Sequence, residues 1–177
     1  MSQRESGYDR VERDLYETPA WVTDALIPHL GRKTLKIWEP AAGGGKIVRA
    51  LEAEGRTVIA TDISTGQDFL KEGPRDVDAI VTNPPYTFAK EFIEHALTLT
   101  DGLVAMLLRT DFDHACGRAN LFSLSPYFAK KVVLTRRIIW FERKGAAPSF
   151  NHAWYIWDKS NTQVAPVLAY GPAVRTA

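Results

Sequence analysis

The chain has 177 residues, of which 45% are hydrophobic and 24% are charged, and its formal net charge is +1. This composition is typical of one ordinary globular domain and excludes an intrinsically disordered chain. A net charge so close to zero also excludes nucleic-acid binding through bulk charge, so any such affinity must come from a local patch.

Residues 1–13 are rich in charge, lack the apolar run of a secretory signal and are expected to be flexible. No apolar run approaches the length that crosses a membrane. The single cysteine, Cys116, excludes an internal disulfide framework, and the histidines show no metal-ligand spacing. We therefore expect one cytoplasmic domain over residues 1–177, with no membrane contact and no metal.

The first half of the chain predicts a βαβ unit. An amphipathic pattern predicts a helix that starts at Pro19, with Thr18 as its N-cap, and ends at Gly31. A first strand at 35–39, a helix at 46–54 and a second strand at 57–62 follow. Because such units are compact, the two strands are expected to be parallel neighbours.

A glycine loop, Glu-Pro-Ala-Ala-Gly-Gly-Gly at 39–45, joins the first strand to its helix. Gly43 and Gly45 would let a ligand approach the main chain, and Asp62 ends the next strand, where it could accept hydrogen bonds from ribose hydroxyls. A glycine run alone is weak evidence, and a strand-terminal aspartate often only caps a turn. Together they favour a nucleoside cofactor. Ile47 follows Lys46, so the Gly-Lys-Ser/Thr pattern of nucleotide-hydrolysing loops is absent.

The middle of the chain predicts two more buried strands. Residues 63–75 hold only a short apolar patch, so a third strand is scarcely defined there. Residues 78–82 predict a buried strand that ends at Asn83, residues 88–99 a helix, and residues 102–108 a further buried strand.

The last third predicts the remaining strands of the sheet. Residues 110–127 are expected to form loop and short helix, and residues 131–135 and 137–141 one or two strand segments. Residues 153–157 are expected to close the sheet, and the last twenty residues to be irregular. The fold class is therefore α/β, with a Rossmann-like sheet that is mostly parallel, has an antiparallel closing strand and is abbreviated at its third strand.

The turn Asn83-Pro84-Pro85-Tyr86 suits a chemical task, the activation of an exocyclic amine. The lone pair of such an amine is delocalised into the ring, so a catalyst must accept hydrogen bonds from both N–H groups. The Asn83 side chain and the Pro84 carbonyl could be these acceptors, and two prolines stiffen the turn. Tyr86 offers a flat face to an extruded base. The alternative is a proline-stiffened turn without chemical consequence.

A local basic stretch lies between Arg109 and Lys144, where eight cations face three acids. Arg137 and Lys144 are candidate contacts to a nucleic-acid backbone. A basic run can equally be only a solvated face, so both interpretations stay open.

Three segments in order, Glu39-Pro-Ala-Ala-Gly-Gly-Gly45, Ile59-Ala-Thr-Asp62 and Asn83-Pro-Pro-Tyr86, resemble the adenine-N6 DNA methyltransferases that use S-adenosylmethionine and have the class I fold. Asp14-Leu-Tyr-Glu-Thr-Pro19 resembles the Tyr-x-Thr-Pro element of that family. Residues 148–157 resemble the compact versions carried by bacteriophages and prophages. The resemblance spans roughly residues 14 to 158.

This resemblance implies a role for each matching residue. Glu39, Ala41, Gly43 and Gly45 would surround the methionine end of S-adenosylmethionine. Further cofactor contacts would come from Tyr16, Thr18, Pro19, Asp62, Asp68 and Phe69. Asn83, Pro84, Pro85 and Tyr86 would hold the target base, with Phe150 as a second stacking face. Ala41 departs from the usual first glycine, the third strand is shortened, and we expect no separate target-recognition domain.

Several functions are compatible with this pattern. The first is N6-adenine methylation of DNA, with direct methyl transfer to a flipped-out base. The same transfer to RNA adenine, cytosine N4 or a protein glutamine is an alternative, because the Pro-Pro turn serves any planar amine. A non-catalytic nucleoside-binding or nucleic-acid-binding accessory subunit is the third. We find no sequence feature that indicates an oligomeric state or a recognition sequence.

Overall fold

The computed structural model describes residues 17–140, 150–160 and 165–172. In this part of the chain, three α-helices and seven β-strands follow one another with short 3-10 turns between them. The bounds in chain order are α1 Ala20–Asp24, β1 Lys36–Glu39, α2 Lys46–Ala53, β2 Thr57–Ala60, β3 Ala79–Thr82, α3 Ala89–Leu99, β4 Leu103–Arg109, β5 Phe128–Val133, β6 His152–Asp158 and β7 Val167–Tyr170.

The strands form one sheet in the order β2-β1-β3-β4-β6-β5-β7. Strands β2, β1, β3 and β4 are mutually parallel, whereas β6 is antiparallel to both of its neighbours and β7 is parallel to β5. The predicted fold class, a mostly parallel α/β sheet with one antiparallel strand, is confirmed.

The core lies on both faces of this sheet. Successive strand residues point to opposite faces, so Ile37 and Trp38 enter different clusters. One cluster packs α1 and α2 against the sheet, and the other packs α3 on the opposite face. The indole of Trp154 is fully buried and donates to the Val22 carbonyl at 2.7 Å, which ties β6 to α1.

The first helix is shorter than its pattern predicts. It begins at Ala20, and its N-cap is Pro19 and not the predicted Thr18, whose side chain is buried. It ends at Asp24 because Pro28 has no N–H to donate to the Asp24 carbonyl, and a 3-10 turn over Ile27–His29 takes its place.

Between β2 and β3 the chain forms only 3-10 turns, so β2 is an edge strand, in agreement with the predicted abbreviation at the third strand. The other side of the sheet differs from the expectation. The predicted closing strand is β6, and it lies inside the sheet between β4 and β5. The predicted strand at 137–141 is wrong for its described part, since Arg137 to Trp140 form no strand. Within the final segment expected to be irregular, β7 forms the other edge.

Candidate functional site

The candidate site lies where the strand order reverses. From the centre of the sheet, β1 is followed by β2 on one side, and β3 by β4 on the other. Ligands of open α/β sheets bind at the carboxyl ends of strands at such a reversal. Because β1 and β3 are parallel neighbours, with Trp38 opposite Ile80, the glycine loop after β1 lies beside the turn after β3.

Backbone geometry makes the glycine loop specific. Gly45 is the N-cap of α2 and has φ +74°, a left-handed conformation that side chains disfavour. Gly44 lies under a side chain, since a Cβ there would come within 1.8 Å of Glu17 Oε1. Glu17 is held in place by an ion pair with Lys46 at 3.0 Å. Glu17 is the variable position of the Tyr-x-Thr-Pro element, so the motif gave no signal that would select it.

Asp62 ties the second strand to this loop. One carboxylate oxygen accepts from the Gly43 N–H at 2.9 Å, and the other accepts from the Ser64 N–H at 2.8 Å. Burial acts to raise the pKa of Asp62, but hydrogen bonds from Ser64 and Gly43 outweigh it and hold the pKa below its usual value. The group is thus a carboxylate at neutral pH, with lone pairs left for a ligand hydroxyl.

Glu39 is the buried acid of the site. It is 0% exposed, and its Oε1 accepts from the Ala41 N–H at 3.1 Å. Burial raises the pKa of Glu39 to about 8, although the Ala41 N–H and the nearby Thr82 hydroxyl oppose the shift. The Thr82 hydroxyl falls short of hydrogen-bond geometry, and Oε2 accepts no hydrogen bond from the described residues. Thr82 precedes Asn83, so Glu39 at the start of the loop lies near the residue before the turn.

The turn after β3 is compact. The Pro85 carbonyl accepts from the Phe88 N–H at 2.9 Å and closes a 3-10 turn over Tyr86–Phe88. The Pro84 carbonyl accepts nothing from the described residues, which leaves it able to bind a donor. The Oδ1 atom of Asn83 is buried in this structure. A substrate amine would therefore reach it only after neighbouring groups move.

Two predicted cofactor residues, Asp68 and Phe69, lie in a 3-10 turn packed on the core. Asp68 caps the turn at Leu70 N, and its contact with Lys71 lowers its pKa. Phe69 is 2% exposed, and its ring packs against Trp38 at 5.1 Å and Phe92 at 4.8 Å between ring centroids. The core already uses this ring, so its stacking on a cofactor stays a prediction.

The predicted substrate residues lie near the ends of β4 and β6. The guanidinium of Arg109 lies 4.0 Å from the centroid of the Phe150 ring and covers one face of it. Arg137 is exposed and donates to the Asn151 side chain at 3.1 Å. Lys144 and the predicted cofactor residue Tyr16 lie outside the described residues.

The basic stretch is partly neutralised by its own acids. Arg109 pairs with Asp111 at 2.8 Å, and Lys131 pairs with Asp113 at 2.7 Å. Such pairing reduces the positive potential of this surface. Arg137 is therefore a better candidate for a phosphate contact than Arg109 or Lys131.

No protein-family model and no curated protein sequence matches the chain. Solved structures do. A protein from Listeria monocytogenes assigned as a class I S-adenosylmethionine-dependent methyltransferase superposes with a TM-score of 0.64 at 16% identity, over 94% of this chain and 69% of its own. A protein from Pyrococcus horikoshii assigned as an RNA methyltransferase gives 0.63 at 15% identity, over 81% and 87%.

This chain has the class I methyltransferase fold. A modification subunit assigned to a type I restriction enzyme from Vibrio vulnificus also shares it, with a TM-score of 0.54 at 15% identity, over 92% of this chain and 47% of that subunit. At such identities the comparisons establish the fold.

The residues of this class I fold suit S-adenosylmethionine. Gly43 and Gly44 are exposed, and Asp62 holds a carboxylate beside Gly43. Glu39 keeps one buried oxygen without a partner among the described residues, which is a suitable acceptor for an ammonium group. Gly43, Asp62 and Glu39 are therefore compatible with a nucleoside that carries a cationic amino-acid tail.

Two features are absent from residues 17–140, 150–160 and 165–172. No helix there combines the length and apolar character needed to cross a bilayer. No three histidine, cysteine or carboxylate side chains there come together in a group that could hold a metal ion.

Proposed function

We propose that this protein is an S-adenosylmethionine-dependent N6-adenine methyltransferase that acts on DNA. The observation that carries the proposal is the adjacency of the glycine loop after β1 and the Asn83–Tyr86 turn after β3 at the strand-order reversal. The Thr82 hydroxyl, next to Asn83, opposes the rise in the pKa of Glu39, as a hydroxyl near that carboxyl does. A cofactor on the loop and an amine on the turn would thus be neighbours.

The cofactor would lie between the loop and Asp62. Glu39 would face its ammonium group, Gly43 and Gly45 would allow close approach of its tail, and Asp62 would accept from its ribose hydroxyls. Thr18, Pro19 and Glu17 would cover the loop. When bound, S-adenosylmethionine supplies an electrophilic methyl group on a sulfonium centre.

The turn would orient the nucleophile. Asn83 Oδ1 and the Pro84 carbonyl oxygen would each accept one N–H of the adenine amine, which leaves the nitrogen lone pair directed at the methyl group. Tyr86 would stack on the base. The N–C bond would form as the C–S bond breaks, and the extra proton of the amine would leave to solvent, so no covalent enzyme intermediate would be needed.

DNA is the proposed acceptor because of the order and identity of the sequence motifs. The Tyr-x-Thr-Pro element precedes the glycine loop, and the catalytic turn follows it, as in the DNA adenine methyltransferases that the sequence resembles. The shared fold of the restriction-modification subunit is compatible with this proposal. Exposed Arg137 is a candidate phosphate contact.

The test is a labelled-methyl assay. The purified protein is incubated with labelled S-adenosylmethionine and with separate pools of DNA, RNA and protein. We expect label in the DNA pool. Label in RNA alone or in protein alone would show that this pool, and not DNA, is the methyl acceptor. Cofactor binding without transfer to any pool would favour a non-catalytic accessory subunit.

A further inference from the structure

Tyr86 and His152 form a contact that the proposed reaction does not itself require. They are 66 residues apart in sequence, yet the Tyr86 hydroxyl oxygen lies 2.9 Å from His152 Nε2. Their rings lie nearly parallel, with centroids 5.8 Å apart and 27° between the planes. His152 begins β6, so the contact links the turn after β3 to a strand two positions away in the sheet.

The direction of this hydrogen bond follows from the other side of the imidazole. His152 Nδ1 lies 2.7 Å from the Phe150 carbonyl oxygen, which can only accept, so Nδ1 carries the hydrogen. In the neutral ring Nε2 is then an acceptor, and the Tyr86 hydroxyl is the donor. His152 is 1% exposed, and burial lowers its pKa to about 4, which keeps the ring neutral at ordinary pH.

His152 is held rigidly. Its carbonyl accepts from the Leu134 N–H at 3.1 Å, and the neighbouring Asn151 carbonyl accepts from the Thr110 N–H at 3.0 Å. The Trp140 ring meets the imidazole edge-to-face, with centroids 5.4 Å apart. A tyrosine bonded to such a fixed acceptor loses the freedom to swing about its χ angles.

We propose that His152 is a positioning residue, whose Nε2 fixes the Tyr86 ring in the plane on which the target base stacks. This assignment rests on the proposed function, because it takes Tyr86 as the stacking face. A ring ordered in advance does not have to be ordered when the base arrives. His152 therefore acts through Tyr86 and touches no reacting atom.

The test is a double-mutant cycle on methyl transfer to DNA. Tyr86→Phe removes only the hydroxyl, whereas His152→Leu removes the imidazole and with it both the Nε2 acceptor and the Nδ1 donor to Phe150. We expect each variant to lower kcat/KM about tenfold, the size of one good hydrogen bond, and the double variant to lose little more than either one. The fall should be in kcat, with S-adenosylmethionine affinity changed by less than about twofold.

Two further variants separate positioning from folding. His152→Gln can place an oxygen near the position of Nε2 and should restore part of the lost kcat. His29 is a partly buried histidine that lines a cavity with Leu103, the first residue of β4, and so lies at the opposite end of the strands from Tyr86. His29→Leu should lower kcat/KM independently of Tyr86→Phe or not at all. If His152→Leu does not fold, Tyr86→Phe and His152→Gln still decide the matter.

The outcomes are distinct. Wild-type kcat/KM in Tyr86→Phe, or a double-variant loss equal to the product of the single losses, would overturn the positioning role while leaving the methyltransferase proposal intact. A wild-type protein that binds S-adenosylmethionine but methylates no DNA would overturn the proposed function, and the positioning role with it.

Discussion

A carboxylate oxygen of Asp62 accepts a hydrogen bond from the Gly43 N–H at 2.9 Å, so the end of β2 holds the glycine loop after β1 in place. The same carboxylate accepts from Ser64 N, which fixes its own orientation. This arrangement makes the loop, and any ligand seated on it, depend on one side chain.

Replacing Asp62 by alanine should weaken S-adenosylmethionine binding by at least about tenfold, because two charge-assisted bonds and one ligand acceptor are lost. Isothermal titration calorimetry measures the change directly. Asp76→Ala is the matched control, since the Asp76 side chain is 94% exposed and only pairs with Lys36. Equal affinities in the two variants would contradict the role of Asp62.

Gly45 and Gly55 offer a second comparison, because both have left-handed backbones, with φ +74° and +77°. An alanine at either position should cost about 1–2 kcal/mol in the free energy of unfolding. Only Gly45→Ala should also weaken S-adenosylmethionine binding, since Gly45 lies in the loop and Gly55 ends α2 at the other end of that helix. Chemical denaturation and calorimetry on both variants check this. Cofactor binding that is unchanged in Gly45→Ala would count against the loop as the binding site.

The buried acid Glu39 should make stability fall as pH rises. Its pKa is about 8 in the folded protein, against an ordinary value of 4.5, so the folded state binds the extra proton between these values. The contribution is complete below pH 4.5 and is lost as pH passes 8, with a slope of up to about 1.4 kcal/mol per pH unit. His152, whose pKa is lowered to about 4, has the opposite effect: it makes the unfolding free energy rise with pH up to its ordinary pKa of 6.5. The decline should thus be clearest between pH 6.5 and 8.

Urea denaturation of the wild type and of Glu39→Gln over this pH range tests the assignment. Glutamine resembles the protonated acid and does not titrate, so the variant should lose the decline. Glu91→Gln, on the exposed side of α3, should keep it. A wild type whose unfolding free energy is flat or rises between pH 6.5 and 8 would show that Glu39 is ionised in the fold.

The central strands were predictable because their apolar sequences indicate that they are buried. Residues 78–82 and 102–108 are apolar runs, and the structure buries β3 entirely and β4 almost entirely. The loop after β1 was recognisable from its glycines, because Gly45 adopts a left-handed conformation that few other residues accept. Strand β7 was missed because it is an edge strand with mostly exposed residues, so Val167–Tyr170 carries no alternation.

The contacts between distant segments could not be predicted from the sequence. Thr82 lies near Glu39, and His152 accepts a hydrogen bond from Tyr86, only because the sheet order places their strands near each other. A polar residue in an apolar run, such as Thr82 or His152, is the signal that could have selected both. The burial of Phe69 could not be predicted from its motif, and its predicted stacking on a cofactor stays a prediction.

In the proposed function, the Asn83–Tyr86 turn holds an adenine of DNA for methyl transfer from S-adenosylmethionine. The most direct measurement is nucleoside analysis by mass spectrometry of DNA that lacks adenine methylation, after incubation with the protein and S-adenosylmethionine. We predict N6-methyl-2′-deoxyadenosine with the wild type and with the exposed-site control Asn120→Ala. Asn83→Ala should give none, while its S-adenosylmethionine affinity stays within about twofold. Full product from Asn83→Ala, methylation at cytosine N4 instead, or no methylated nucleoside from the wild type would contradict the claim.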